Sequence, residues 1–276
     1  MSETGTSNGN GKVTTARNSS YSIWLPDGAD RGIVDAVVEC MADIEPPLDR
    51  APAQVPDARG IWLIHGGKKS DVIGVRLSPS EVYAVKFIHD HRLVASVRTA
   101  IGKGKGRRAF ELGLKLQELD IHAPTVYGYV EKKPFGAAML IMEWLEGYEK
   151  LQNIMRDETH SKEKICEYAM VLGKYVACIH DKGLYHDDFS SRNLLVNPDD
   201  ISQGPAIVDF EDISFPETPL SEENRTAQLA EMRNSFVNLP DTAVVCFLES
   251  YMKAANINRS LMDFRGEIHD TRMKEE

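Results

Sequence analysis

Hydrophobic and polar positions divide the chain into a strand-rich first half and a helix-rich second half. Short runs of β-branched and aromatic residues occur at Ile61-Trp62-Leu63-Ile64, Asp71 to Leu77 and Val82 to Ile88. Gly66-Gly67 and Ser78-Pro79-Ser80 separate them, and the pattern predicts an antiparallel meander. From Arg107 to Leu119, apolar Phe110, Leu112, Leu114, Leu116 and Leu119 predict a helix. Two further strands fit Thr125 to Val130 and Ala138 to Glu143. A long amphipathic helix is predicted from Lys162 to Lys182, ending near Gly183, a residue that favours helix termination. Leu194 to Val196 and Ala206 to Phe210 read as short strands. Glu222 to Leu239 and Asp241 to Ala255 read as helices divided at Pro240.

The ends of the chain carry weaker patterns. Residues 1–20 are polar and low in complexity, the composition of a disordered tail. Residues 21–60 form an N-terminal extension, with one helix predicted over Gly32 to Ile44. Pro46, Pro47, Pro52 and Pro56 mark an irregular connection there. The expected fold class is α+β and two-lobed. An antiparallel-sheet lobe with one helix spans 61–143, a mostly helical lobe spans 144–260, and 261–276 form a C-terminal tail. A hinge is expected near Glu143 to Gly147, and ligands favour such junctions.

Composition narrows the class. Of 276 residues, 42% are hydrophobic and 27% charged, the balance of a soluble chain with a real core. The net charge of −10 argues against general nucleic-acid binding, which depends on neutralising phosphates. Cys40, Cys166, Cys178 and Cys246 show no Cys-x-x-Cys spacing, so reduced thiols and a cytoplasmic location are expected. No apolar stretch reaches the length of a membrane span, and the N-terminus lacks the pattern of a signal peptide.

Candidate chemistry concentrates in His186-Asp187-Asp188-Phe189-Ser190-Ser191-Arg192-Asn193, followed by Ile207-Val208-Asp209-Phe210-Glu211. A carboxylate and an amide five residues apart follow a long helix, and a second carboxylate closes the next apolar strand. Phosphoryl transfer needs such parts: Asp188 to orient the attacking hydroxyl, and Asn193 with Asp209 to hold Mg²⁺ on ATP. The order and spacing match the kinase pattern H-R-D-x-x-x-x-N with D-F-G. A lone Asp-x-x-x-x-Asn would be uninformative, and His-Asp-Asp could merely cap a turn. Val82-Tyr83-Ala84-Val85-Lys86 resembles the strand whose lysine pairs with the α/β-phosphates. Its ion-pair partner is expected on the following helix, at Glu111 or, two turns on, Glu118. Gly66 and Gly67 could admit phosphate to backbone N–H groups, with Lys68 or Lys69 adding charge; a plain hairpin turn explains them equally.

One basic segment interrupts the acidic whole. Eight Lys or Arg lie between Lys86 and Lys115, against Asp90 and Glu111. Gly102-Lys103-Gly104-Lys105-Gly106-Arg107-Arg108 is its centre. It reads either as a solvated loop or as a site for an anionic substrate or membrane surface.

These residues resemble the protein-kinase superfamily and, more closely, the bacterial lipopolysaccharide-core (Kdo/heptose) kinases, over about Ile61 to Tyr251. The closer resemblance rests on Lys86 and Arg107-Arg108-Ala109-Phe110-Glu111. Leu119-Asp120-Ile121-His122-Ala123-Pro124-Thr125 is similar to that family's "GIPTP" turn. Leu140-Ile141-Met142-Glu143-Trp144-Leu145 matches its hinge strand, and the helices carrying Arg225 to Phe236 and Phe247 to Tyr251 match its C-terminal pair. It implies nucleotide contacts at Glu143 and Trp144 and a hydroxyl acceptor, a sugar of an envelope glycolipid, phosphorylated at the inner membrane face.

Three departures disfavour a phosphorylation-switched protein kinase. Asp187 replaces the Arg of H-R-D. Ser190 stands where ordinary Ser/Thr kinases carry Lys. Phe215-Pro216-Glu217 comes too early to close an activation loop. An atypical RIO-like Ser/Thr protein kinase is the alternative. A nucleotide-binding pseudokinase scaffold is disfavoured, because Lys86, Asp188, Asn193 and Asp209 are all present.

Overall fold

The computed structural model describes residues 13–17, 20–44, 52, 55–67, 70–88, 104–132, 138–157, 159–233 and 241–275. Residues 1–12, Pro46, Pro47, Lys68, Lys69, Arg92, Arg98, Lys103 and 234–239 lie outside them. The chain divides into two compact units. One comprises 1–117 with 124–145, and the other 118–123 with 146–276.

The first unit is built on a seven-stranded antiparallel sheet. Its strands are β1 (Val13–Arg17), β2 (Tyr21–Pro26), β3 (Ile61–Gly66), β4 (Ser70–Ser78), β5 (Glu81–Ile88), β6 (Val126–Lys132) and β7 (Ala138–Glu143). The spatial order is β1-β2-β6-β7-β5-β4-β3. The expected meander is thus one flank of a larger sheet. Helix α1 (Arg31–Cys40) opens at Asp30, whose side chain accepts from the Gly32 N–H. Its Val34 and Val37 are fully buried, in one core with Ile23, Leu25, Val75, Val85 and Val130. Gly128 on β6 permits this approach, because a Cβ there would meet Val34 Cγ2 at 2.7 Å.

Alternation along the strands sends the intervening residues to the opposite face. There Trp24 and Tyr129 lie with ring centroids 5.2 Å apart, and Phe110 of α2 (Lys105–Glu118) stacks on Tyr129 at 6.1 Å. The disordered-tail expectation for 1–20 is therefore corrected at Val13–Arg17. All five of its residues pair with β2, from Val13 opposite Pro26 to Arg17 opposite Ser22.

The second unit is mostly helical. Helix α3 (Leu151–Arg156) follows the two-residue strand β8 (Glu149–Lys150), and neither was predicted. Helix α4 (Lys162–Asp181) opens with the Ser161 hydroxyl accepting from the Lys164 N–H and ends at Gly183, where φ is +79°. Its buried stripe, Ile165, Ala169, Leu172, Val176 and Ile179, keeps the helical period. Gly173 on that stripe lets α6 (Asp241–Ala254) come close, since a Cβ would meet the Phe247 carbonyl.

Cys166 and Cys246 form a disulfide between α4 and α6, correcting the expectation of four reduced thiols; Cys40 and Cys178 are free. The two sulfurs are 80 residues apart in sequence, so only the packing of α4 on α6 reveals the pair. The C-terminal tail is also corrected. It forms helix α7 (Leu261–Glu275), which buries Phe264 and Ile268 one turn apart and stacks Phe264 on Tyr251. It packs on α5 (Glu222–Arg233). No helix of the described residues is long and apolar enough to cross a membrane.

Candidate active site

The catalytic-loop sequence folds into short pieces that hold one another. Strand β9 (Tyr185–His186) pairs with β12 (Ile213–Ser214), and β10 (Leu194–Val196) pairs with β11 (Ala206–Ile207). Between β9 and β10 lies a single 3-10 turn, Ser191–Asn193. Phe189 is fully buried and pins the loop, while the Asp188 side chain remains 45% exposed and reachable.

Hydrogen bonds fix the reactive groups. The Asp188 N–H donates to His186 Nδ1 at 3.1 Å, and His186 Nε2 lies 3.4 Å from the Val208 carbonyl. Nδ1 is thus an acceptor, which leaves the proton on Nε2. Burial pushes the His186 pKa below its ordinary value, opposed by the Val208 bond and the charges of Asp209, Asp212 and Asp188. A neutral imidazole therefore ties the loop bearing Asp188 to the residue before Asp209. The Val208 N–H donates to the Asn193 carbonyl at 2.9 Å, a second tie between the same segments.

The Asn193 amide nitrogen donates to the Asp188 carbonyl at 2.9 Å and to Asp188 Oδ2 at 3.3 Å. Asp209 sits at φ +68°, in the left-handed region, and this ends the strand expected to reach Phe210 at Ile207. A 3-10 turn, Phe210–Asp212, follows. An amide oxygen and a carboxylate are hard donors of the kind Mg²⁺ prefers, so Asn193 and Asp209 fit that ion chemically.

In the first unit, Lys86 is 6% exposed on β5, opposite Val72 of β4 and Leu140 of β7. It shares the sheet face of Trp24 and Tyr129. Gly66 and Gly67 sit at the β3–β4 turn, where the Gly67 N–H donates to Asp71 Oδ1 at 3.2 Å. Asp71 is 1% exposed, a buried carboxylate bracing the turn. Sequence reasoning missed it. An Asp among apolar strand residues straight after a Gly-Gly turn was the available signal.

Glu143 ends β7 with a reciprocal tie to Thr125: its N–H donates to the Thr125 carbonyl, and its carboxylate accepts from the Thr125 N–H at 3.0 Å. Trp144 packs edge-on against Trp62 at 5.4 Å.

Glu111, the residue expected to pair with Lys86, is also held by Arg107. Glu111 accepts from Arg107 Nε at 2.8 Å and is 57% exposed, while Arg107 lies over the Trp24 ring at 5.1 Å. Trp24 fixes Arg107, and Arg107 one turn earlier takes Glu111. Glu118 is exposed at the end of α2. The same contact removes Arg107 from the candidate anion surface, leaving Lys105 and Arg108 exposed among the described members of its centre.

The two-unit architecture and the loop order are those of the protein-kinase class. The chain is similar to a solved structure of "WaaP in complex with acyl carrier protein", with a TM-score of 0.53 and 16% identity. The match covers 77% of this chain and 87% of that one. The model of the lipopolysaccharide kinase (Kdo/WaaP) family matches residues 84–251, more than half of the sequence, and the chain belongs to that family. It is accordingly a kinase with a two-lobed, kinase-like fold. No curated protein matches it.

Proposed function

We propose that the protein transfers the γ-phosphoryl group of ATP to a sugar hydroxyl of a lipopolysaccharide-type envelope glycolipid. The observation that carries this reading is the Asp188 carboxylate. It is exposed enough to meet an acceptor and is oriented by Asn193 at one oxygen and Arg192 at the other.

Asp188 aligns the acceptor hydroxyl and receives its proton as the new P–O bond forms and the bond to ADP breaks. Lys86 holds the α/β-phosphates, and the Gly66-Gly67 turn braced by Asp71 offers backbone N–H groups to them. Glu143 and Trp144 lie on the strand end taken as the nucleotide hinge. Asn193 and Asp209 would hold Mg²⁺, which when bound offsets phosphate charge. Family membership supports the sugar acceptor over a protein Ser/Thr.

Labelled transfer from ATP to glycolipid fractions, run beside protein substrates, tests the assignment. Asp188→Asn should lower kcat by about 10²–10⁴-fold with ATP affinity nearly intact. Asp209→Asn should weaken Mg²⁺-ATP binding as well. A fully active Asp188→Asn enzyme, or transfer confined to protein, overturns the reading.

We further propose peripheral contact with an anionic membrane surface through Lys105 and Arg108, at the inner membrane face. Sedimentation with anionic vesicles should fall on replacing both by Ser, and be abolished by salt. Equal binding to neutral vesicles would rule the contact out.

A further inference from the structure

Arg192 is the only Lys or Arg between His186 and Asp212, a segment with seven Asp or Glu. The reaction brings an anionic phosphoryl group to this strongly acidic loop. Ser190, at the position where ordinary Ser/Thr kinases carry Lys, is 8% exposed and brings no charge. Two residues on, Arg192 supplies a cation beside Ser190 and Asp188. Its Nε reaches Ser190 Oγ at 3.5 Å, and its terminal NH2 reaches Asp188 Oδ1 at 3.3 Å.

The turn that carries Arg192 explains its aim. Ser191 is buried and Asn193 is bonded to Asp188, so the residue between them projects outward beside the carboxylate. Its side chain is 59% exposed. A guanidinium has five N–H donors, and those not given to Ser190 and Asp188 have no protein acceptor among the described residues. An exposed ion pair of this kind adds little to stability and is readily exchanged for another anion.

We infer that Arg192 forms an anion subsite beside Asp188, taking an oxygen of the transferring phosphoryl group or an acidic group carried by the acceptor. Both ligands present a pair of charged oxygens that the guanidinium's fork of donors matches. The inference rests on Asp188 as the carboxylate that receives the hydroxyl. Arg192 keeps that carboxylate oriented until the anion arrives, and then shares its donors with the anion.

Steady-state kinetics of Arg192→Gln and Arg192→Lys, with Asp188→Asn alongside, test it. Gln retains a donor for Asp188 but no charge; Lys retains the charge. Arg192→Gln should lower transfer by about 10²-fold, the scale of losing one donor to developing charge, and Arg192→Lys should recover part of it. If acceptor-free ATP hydrolysis by Arg192→Gln falls equally, the anion is the phosphoryl group. If hydrolysis is unchanged while the acceptor KM rises, the anion belongs to the acceptor. Arg192→Gln with wild-type kcat and KM overturns the subsite. An active Asp188→Asn enzyme would instead remove the underlying assignment, so the two failures are distinct.

Discussion

The catalytic loop and the strand bearing Lys86 achieve order in opposite ways. The loop is held by bonds of very short sequence span: Asp188 to His186, Arg192 to Asp188, and Asn193 to Asp188. Its longer ties, from His186 and Asn193 to Val208 and from β9 to β12, stay within the segment that ends at Ser214. Lys86 depends on partners far along the chain. Its strand lies between β4 and β7, and the helix beyond it is phased by Trp24, more than eighty residues before Arg107. A locally closed site tolerates changes elsewhere; a site assembled from distant pieces inherits every shift in them.

The sharpest way to break this contrast is at Lys86 and Glu111. Lys86→Ala should lower kcat/KM by about 10²-fold or more, because the buried cation proposed to hold the phosphates is lost. Glu111→Ala should lower it less, by misplacing the lysine that Glu111 is expected to pair with. An unchanged kcat/KM in Glu111→Ala, measured by steady-state kinetics, would remove Glu111 as the partner of Lys86.

An intermediate effect is expected on acidification. His180 lies in the last turn of α4, five residues before β9, is fully buried, and shares a 2.9 Å hydrogen bond with the Tyr251 hydroxyl through Nδ1. Burial, with Arg225 nearby, lowers its pKa to about 3. The unfolded chain therefore binds a proton that the folded unit refuses. The contribution to stability is complete above pH 6.5 and is lost as pH falls towards 3. The slope approaches about 1.4 kcal/mol per pH unit between the two pKa values, so the loss grows to a few kcal/mol towards the acid end. Denaturant titrations of His180→Gln should show a shallower acid slope than the parent. An unchanged slope would place the acid sensitivity on other groups.

The same contrast explains what the amino-acid pattern could reveal. The loop motif was legible because its geometry is written in eight neighbouring residues. The alternation of β3 to β7 and the stripe of α4 were legible because burial follows a local period. Trp24 was not, since nothing near it in sequence names Arg107 as its partner. The disulfide failed for the same reason, and Val13–Arg17 looked disordered because its order comes from pairing with β2. Asp209 marks a limit of another kind: hydrophobicity continues through Ala206 to Phe210, yet a left-handed backbone stops the strand.

The placement of α1 and the first two strands bears on how the protein can be handled. The region matching the family, residues 84–251, starts within β5 and omits four of the seven strands. A recombinant fragment cut to it would lay bare the edges of β5 and β6. The apolar face that α1 covers, including Val85, Val130 and Ile141, would be uncovered as well. Exposed edges and faces of that kind recruit other chains, and such a fragment should precipitate or require chaperones. The boundary of shared ancestry and the boundary of solubility thus fall at different residues, and the elements from β1 to β4, with α1, belong to the latter.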